Sequence, residues 1–245
     1  MKAGFLDREP DPGSLLSGLD PRAKLIAALI ATAAVASPPP GSYSPFPWFA
    51  ALIVAWTLAG RVSPRYLGLR IAAATPFIAL AAVAPALGAA LGDSSIESAP
   101  EALAGSIMLR AWASVALISV LTATTQAADL LSASRRLRFP EAVSAILTLS
   151  YRYLFLLSDE GRRIRQAQDC RAAGSLRVPR IPLLAKQVGL VFIRGWERAD
   201  RVQAAMTLRG FHGRLPTRAS GRLGLAELVF MALVTGGFAG VRLLA

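Results

Sequence analysis

Five largely apolar stretches constrain the fold of this chain more than any other feature of its sequence. The mean hydropathy is +0.48 and 17% of the residues are charged, which is too apolar for an ordinary soluble domain. A helix needs about 20 mostly apolar residues to cross a bilayer. The sequence therefore predicts an all-α, polytopic membrane protein with about five transmembrane helices, at residues 25–37, 48–60, 71–91, 102–127 and 223–243.

A basic segment, residues 129–222, separates the fourth predicted span from the fifth. It carries 18 of the 27 Lys and Arg residues but only seven acids, so nearly all of the net charge of +12 lies in it. Basic residues near spans stay on the cytoplasmic side of a membrane. This rule places the N-terminus and the basic segment in the cytoplasm of a multi-pass inner-membrane protein. The other cations beside the predicted spans also fall on the cytoplasmic side in this orientation: Arg22, Lys24, Arg61, Arg65 and Arg70.

Three domains follow from this arrangement. Residues 1–128 are predicted to form an N-terminal membrane region of about four spans, residues 129–222 a cytoplasmic helical insert, and residues 223–245 a C-terminal transmembrane helix. The first two spans are short, which leaves open that they form a re-entrant or tilted pair. A short amphipathic helix is expected at 129–138, lying at the membrane interface, where its arginines can meet anionic lipid headgroups.

The basic segment lacks the marks of a nucleic-acid-binding domain or an enzyme. Its aromatic residues lie inside apolar runs and do not alternate with cations, so no nucleic-acid partner is expected. No Gly-rich phosphate loop occurs. Asp159 and Glu160 are adjacent, point in different directions on a helix and cannot form a paired acid–base site. We expect them to pair with one of three following arginines, Arg162, Arg163 or Arg165.

Two long helices are predicted inside the basic segment, and each has an apolar stripe that contains a glycine. The stripe of the second helix recurs at steps of three and four residues, as one helix face does. Small residues in both stripes allow the helices to approach closely, so we expect a crossing near Gly161 and Gly195. The stripe residues are Leu147, Leu154, Leu157, Gly161 and Ile164 in the first helix, and Val188, Phe192, Gly195, Ala199, Val202 and Met206 in the second.

Both long helices finish with an arginine beside small residues. The first ends in Cys170-Arg171-Ala172 and the second in Leu208-Arg209-Gly210. Either arginine alone is explained as a cation at a helix C-terminus, which is worth roughly 0.3–1 kcal/mol. Two such ends on crossing helices favour a binding role, because the planar fork of arginine binds carboxylates or carbonyls with two hydrogen bonds.

Four stretches together form a family pattern: LDPRAKL, TTQAADLLSASRRLRFP, SYRYLFLLSDEGRRIRQAQDCRAAG and IRGWERADRVQAAMTLRGFHG. They resemble the transmembrane T component of energy-coupling factor (ECF) transporters. In that family two cytoplasmic helices each end in an Ala-Arg-Gly-like motif, whose arginine docks into a groove of an ABC-type ATPase subunit. The resemblance implies that Arg171 and Arg209 are the ATPase contacts. Cys170 and Leu208 stand where Ala is usual.

The resemblance also implies the partners of the chain. It would be a coupling subunit that transmits the motion of two ABC-type ATPase subunits to a separate substrate-binding membrane subunit. ATP would bind to the ATPases, and this chain would hold no cofactor and no metal. A small accessory membrane subunit is left open.

The cargo is less constrained than the partners. The length of the chain, its opening and the RGFHG ending are most similar to the cobalt-type branch of the family, CbiQ. A nickel or vitamin importer, for example for biotin, is the first alternative. A membrane enzyme acting on an anionic lipid is the second, although no histidine or carboxylate cluster at the membrane boundary supports it.

The sequence also predicts the surroundings of two further residues, His212 and Arg110. His212 is the only histidine, and we expect it to be a surface or interface residue because a metal site needs several ligands. Arg110 lies inside the fourth predicted span. It is expected either to reach the outer lipid headgroups or to make a buried bond to a neighbouring span or to the substrate-binding subunit.

Overall fold

The computed structural model describes residues 14, 16, 18–39, 41–90, 100–137, 140–172, 180–211 and 224–244. Of these, the side chains of residues 86–90, 100, 136, 171, 172, 180 and 242–244 are outside the description. Every regular element in the described ranges is an α-helix. The helices are α1 (Pro21–Ala36), α2 (Phe46–Ala59), α3 (Pro64–Ala90), α4 (Pro100–Thr124), α5 (Ala127–Arg136), α6 (Glu141–Ala172), α7 (Arg180–Leu208) and α8 (Leu225–Leu244).

Within the described ranges, two helices are long and apolar enough to cross a membrane, Pro64–Pro85 within α3 and Glu101–Thr124 within α4. Phe46–Ala59 and Leu225–Val241 are shorter apolar helices. On α3, Phe77 is 78% exposed, as a side chain that faces lipid would be. These helices confirm the all-α, polytopic membrane class. At about 1.5 Å per residue, α1 and α2 are shorter than the roughly 30 Å hydrocarbon core, so the count of five spans stays a prediction.

Proline marks the starts of helices, as its fixed backbone angle and missing N–H allow. Pro64 opens α3, and α6 begins directly after Pro140, whose carbonyl accepts a bond from the Ser144 N–H (3.1 Å). α3 also continues through two internal prolines, Pro76 and Pro85. α5 begins and ends earlier than the predicted 129–138.

The chain divides into two compact units. The basic unit is Ser134–Ala219, which contains α6 and α7. The membrane unit combines Gly4–Ala133 with Ser220–Ala245, and contains α1 to α4 and α8. α5 contributes residues to both units.

The core of the membrane unit forms around α1, which packs against α4 and α8. Ala23, Ala27 and Ala31 recur every four residues on α1 and are fully buried, because small side chains let neighbouring helices approach closely. Between α2 and α8, the rings of Phe49 and Phe238 stack with their centroids 5.6 Å apart. The helices of this unit are thus held by close backbone approach and by aromatic packing.

The loop between α1 and α2 is fastened to α4. Arg110 Nη2 donates a hydrogen bond to the carbonyl of Pro39 (2.7 Å), and the Tyr43 hydroxyl donates one to the carbonyl of Ala102 (2.9 Å). Arg110 therefore bonds to a loop of its own unit, and not to a neighbouring span as one of the two expectations had it.

Candidate functional site

In the basic unit, α6 and α7 pack against each other and border an apolar groove of about 1150 Å³. Every residue of the predicted α7 stripe lines this groove, as do Leu154, Leu157 and Gly161 of α6. Large apolar side chains on it remain accessible: Phe192 is 67% exposed and Trp196 is 64% exposed. An exposed apolar surface of this kind marks a place where a partner or a membrane is bound.

The two stripe glycines lie where α6 and α7 meet. A methyl group added at Gly195 would be 3.4 Å from Leu157 Cδ2, and one added at Gly161 would be 3.8 Å from Val191 Cγ2. Each glycine therefore faces an aliphatic side chain of the other helix at ordinary contact distance. Gln187 Nε2 adds a hydrogen bond to the Gly161 carbonyl (3.1 Å), so this contact is both apolar and polar.

A salt bridge links the polar edges of the two helices. Glu160 on α6 pairs with Arg194 on α7. The expectation that Glu160 would pair with Arg162, Arg163 or Arg165 is therefore wrong. Helix periodicity suggests only partners for Glu160 on α6 itself. The packing of α7 against α6 instead brings Arg194 closest to the Glu160 carboxylate.

A second possible ion pair, within α7 alone, is not formed. Glu197 and Arg201 are spaced for an i,i+4 ion pair, but both side chains are exposed and they do not form one. The ion pairs of the described residues are Arg194–Glu160 and Arg22–Asp20. An exposed pair gains little over hydration in water, so its absence is physically ordinary.

The end of α7 has a defined geometry. Gly210 has φ +76°, a left-handed conformation that residues with a side chain rarely adopt. The Phe211 N–H bonds to the carbonyl of Met206 (3.0 Å), and the Gly210 N–H to the carbonyl of Thr207 (3.0 Å). These two bonds form a Schellman motif. Arg209 is therefore the last residue before the reversal of the chain.

The side chains at both helix ends face solvent as far as they are described. Leu208 is 89% exposed and Arg209 is exposed beside it. At the end of α6, Cys170 is exposed and the helix continues through Ala172, so Arg171 lies in its last turn. The side chains of Arg171 and Ala172 are outside the described residues.

Two cationic contacts were not foreseen from the sequence. Arg135 of α5 donates hydrogen bonds to the Thr148 hydroxyl and to the Ser144 carbonyl (3.4 Å) of α6. Lys24 is buried in the membrane unit, only 2% exposed. A signal existed for Lys24, because it shares the buried face of α1 with Ala27, Ala28 and Ala31.

Among the described residues, no group of three or more His, Cys, Asp or Glu could hold a metal ion. His212 lies outside the described residues, so its predicted surface position stays a prediction. The chemistry that this part of the chain offers is recognition by arginine and by apolar surface.

Comparison with known proteins identifies the family. The family model of the cobalt transport protein CbiQ matches residues 12–219. The chain is 31% identical over 155 residues to the cobalt transport protein CbiQ of Rhodobacter capsulatus, covering 60% of this chain and 64% of that protein. It is 26% identical over 205 residues to a putative fused cobalt transport protein CbiMQ of Methanocorpusculum labreanum, covering 77% of this chain and 33% of that one.

An uncharacterized protein of Methanocaldococcus jannaschii is 28% identical over 95 residues, covering 39% of this chain and 35% of that protein. The matched segments span less than two thirds of the length of each of these three relatives. The family model itself covers both the membrane unit up to α4 and the whole of α5, α6 and α7. This chain belongs to the CbiQ family of cobalt transport proteins.

Proposed function

We propose that this chain is the transmembrane coupling subunit of an ECF-type ABC importer that takes up cobalt. In this proposal, it transmits the ATP-driven motion of two ATPase subunits to a substrate-binding membrane subunit. ATP and its hydrolysis belong to the ATPases, and this chain itself has no catalytic residue and no cofactor. Its α6 and α7 face the cytoplasm, together with the N-terminus.

The observation that carries the proposal is the end of α7. The Schellman turn at Gly210 ends the helix directly after Arg209, so the guanidinium is carried at an exposed tip and not along the helix side. Leu208, 89% exposed, supplies an apolar contact next to it. A planar cation beside an apolar side chain suits a protein groove that contains carboxylates or carbonyls.

The cargo and the membrane partner are supported by the family. Its description and the names of the first two relatives specify cobalt transport. The relative named as a fused CbiMQ protein supports a second membrane component that works beside this one. The apolar groove between α6 and α7 is suited to bind such a partner, or the membrane lipid around it, because its aromatic side chains are exposed.

The proposed mechanism is mechanical. Closure of the ATPases on ATP moves the ends of α6 and α7 relative to each other, which changes their crossing at Gly161 and Gly195. That change tilts the substrate-binding subunit against the spans. A ligand shifts such an equilibrium only through contacts that differ between the two states, so the contacts of Arg171 and Arg209 are where coupling should be lost.

The test is co-purification of the chain with cobalt-type ABC ATPase subunits and the substrate-binding subunit, followed by cobalt uptake in proteoliposomes. Arg171→Glu and Arg209→Glu place a like charge against the groove that accepts the arginine. We expect the double variant to lose at least about tenfold in ATPase recovery, as removal of a central arginine from an interface does.

The matched controls are Arg162→Glu on α6 and Lys186→Glu on α7, which reverse exposed cations within the same two helices. If these controls release the ATPases as strongly as the changes at Arg171 and Arg209, the effect is one of total charge. If all four variants retain the ATPases and transport cobalt as the wild type does, the coupling function is wrong.

A further inference from the structure

The exposed cations of the membrane unit lie in one short segment. Arg61, Arg65 and Arg70 are exposed, whereas the other cations of this unit whose side chains are described are half-buried or buried. No acid occurs between residues 61 and 70. The ion pairs of the described residues include none of these three arginines. This arginine cluster is therefore a positive surface that no described ion pair neutralises, and such a surface attracts anions.

Arg61 stands in the turn between α2 and α3. Its φ is +47°, in the left-handed region that favours glycine. The Arg61 N–H bonds to the carbonyl of Leu58 (3.0 Å), and the Val62 N–H to the carbonyl of Thr57 (3.1 Å), which is the Schellman pairing that ends a helix. An arginine thus occupies the position after α2 at which glycine is usual, and replacing it with glycine should preserve the turn.

The start of α3 carries the other two arginines. Ser63 caps this helix, because the Tyr66 N–H bonds both to its hydroxyl (3.3 Å) and to its carbonyl (3.0 Å). Arg70 Cζ lies 5.2 Å from the centre of the Tyr66 ring, one turn earlier. This cation–π contact holds the guanidinium back towards the start of α3, the end at which Arg65 lies. The charge of Arg70 is thereby kept away from the apolar part of the helix.

Beyond the arginines, α3 exposes large apolar side chains. Leu69 is 65% exposed, Phe77 78% and Leu80 74%. Their spacing places them on one side of the helix, together with Arg65. Large side chains prevent the close backbone approach that the alanines of α1 allow, so this α3 face is better suited to acyl chains than to another helix. A cation at one end and apolar side chains beyond it match the headgroup and tails of a phospholipid.

The arginine cluster lies on the same face of the membrane unit as the start of α1 and the end of α4. Lys24 Nζ donates to the carbonyl of Thr124 (3.3 Å), and a methyl group added at Gly60, directly before Arg61, would be 2.8 Å from Thr124 Cγ2. At the other end of α2, Tyr43 is 45% exposed and Trp48 is 66% exposed, as aromatic residues at a membrane interface are. Exposed cations therefore mark the first face, which meets the cytoplasmic leaflet in the orientation proposed above.

We infer that the arginine cluster and the α3 face together bind an anionic phospholipid, with the cluster at its phosphate and the α3 face along its acyl chains. Guanidinium groups bind phosphate oxygens with paired hydrogen bonds, and cations at a membrane surface attract anionic lipids. A soluble phosphate would satisfy the arginines but leave the α3 face uncovered. The inference goes beyond the coupling function and concerns the chain by itself.

The test measures lipid selectivity at the site in nanodiscs that contain the full chain. A bimane fluorophore is attached at Gly68→Cys on α3 or at the exposed Ser44→Cys before α2, in a Cys170→Ala background. Nothing lies within 4 Å of a side-chain carbon added at Gly68, so the label should leave the packing intact. Phosphatidylglycerol or phosphatidylcholine, brominated in the acyl chains, then quenches the label. At Gly68 we expect phosphatidylglycerol to quench at least about threefold more effectively, and at Ser44 we expect no preference.

The preference should depend on the arginine cluster. In the triple variant Arg61→Gly, Arg65→Gln and Arg70→Gln, phosphatidylglycerol should quench at Gly68 no better than phosphatidylcholine. Arg61→Gly alone should lower the preference in part. Because glycine suits the left-handed turn, a loss in this variant does not come from misfolding.

The matched control removes three exposed cations from the basic unit: Arg152→Gln, Arg162→Gln and Lys186→Gln. It should keep the preference, and an equal loss there would overturn the inference, because the effect would follow total charge. An equal effect of the two lipids in the parent would also overturn it. So would loss of the preference in excess glycerol 3-phosphate, which would mean that a soluble anion occupies the cluster.

The same label tests whether a protein covers this face instead. If neither brominated lipid quenches at Gly68 once the ATPase and substrate-binding subunits are bound, the α3 face belongs to a protein partner and the inference is wrong. The measurements on the chain alone need no ATPase, so they stand or fail independently of the proposed function.

Discussion

The two units differ in how far their own helices cover their apolar side chains. In the membrane unit, Phe49 and Leu117 are fully buried, and α1 presents a buried face of alanines. In the basic unit, the buried hydrophobic side chains among the described residues are Ala145 and Ile164, whereas Phe192 and Trp196 are largely exposed. The membrane unit buries a set of large apolar side chains between its own helices and exposes others, such as Phe77 at 78%. In the basic unit, Ile164 is the one large apolar side chain that is buried among the described residues.

The difference shows where each unit gets its stability. The membrane unit has an interior built from close contacts between its own helices. The contacts described between α6 and α7 are those at the two glycines, the Gln187 hydrogen bond and one ion pair, and several large apolar side chains along the groove stay accessible. Hydrophobic stabilisation of the basic unit would therefore increase if a partner covered that surface. A unit built in this way can change its internal angle at small cost, as the proposed coupling requires.

The largest change in the free energy of unfolding should be seen when one aromatic ring is removed from the membrane unit, with the basic unit as the comparison. Phe49→Ala deletes a ring that is 0% exposed and stacked on Phe238, which should lower the free energy of unfolding by about 3–5 kcal/mol. Phe192→Ala deletes a ring that is 67% exposed, and should cost about 0.5 kcal/mol or less. Denaturation by SDS in mixed micelles, followed by circular dichroism, measures both.

The control within the membrane unit is Phe77→Ala on α3, where the ring is 78% exposed. It should behave as Phe192→Ala does, because both rings are largely exposed and have few protein contacts to lose. If Phe192→Ala destabilises the chain as much as Phe49→Ala, the groove is part of a core and the contrast between the units is wrong.

The end of α7 and the position of its apolar stripe followed from sequence because they depend on local rules, whereas the exposure of that stripe did not. Gly210 after the last periodic residue of α7 is a helix stop with a known backbone reason, and the α7 stripe is read from steps of three and four. The continuation of α3 through Pro76 and Pro85 agrees with the third predicted span, residues 71–91.

The tertiary contacts did not follow, because periodicity compares only residues of one helix. Glu160 was assigned to neighbouring arginines, whereas Arg194 reaches it from α7. Lys24 was read as a cation flanking a span, although its place on the alanine face of α1 put it in the interior. A charged residue is usually assigned to the surface even when its position lies on the apolar face of a helix. Here the buried Nζ of Lys24 hydrogen-bonds to the carbonyl of Thr124, a residue distant in sequence.

An intermediate effect on stability should distinguish Gly210, just after the end of α7, from Gly189 inside that helix. Gly210→Ala forces a side chain into a left-handed conformation, which should cost about 1–2 kcal/mol at the helix end. The Phe211 N–H should then lose its bond to Met206 and exchange faster. Amide hydrogen exchange of residues 206–211 measures this directly, and ATPase recovery should fall with it.

Gly189→Ala is the matched control, because nothing lies within 4 Å of a methyl group added there. Inside a helix, the same change should stabilise by about 0.5–1 kcal/mol. An equal exchange rate in Gly210→Ala and in the parent would mean that the turn does not depend on glycine. The presentation of Arg209 would then need another cause.

The smallest effect should come from the ion pair between Glu160 and Arg194, and it bears on how loosely the basic unit is held. The side chains are 25% and 52% exposed, so water competes with the pair and its coupling energy should be below about 1 kcal/mol. A double-mutant cycle with Glu160→Gln and Arg194→Gln isolates that energy, and about 1 M salt should remove most of it. A parallel cycle with Glu197→Gln and Arg201→Gln, which form no ion pair, should give no coupling.

A coupling of several kcal/mol between Glu160 and Arg194, insensitive to salt, would mean that the pair locks α6 to α7. The angle between the helices could then not change cheaply, and coupling would have to move the basic unit as one rigid body.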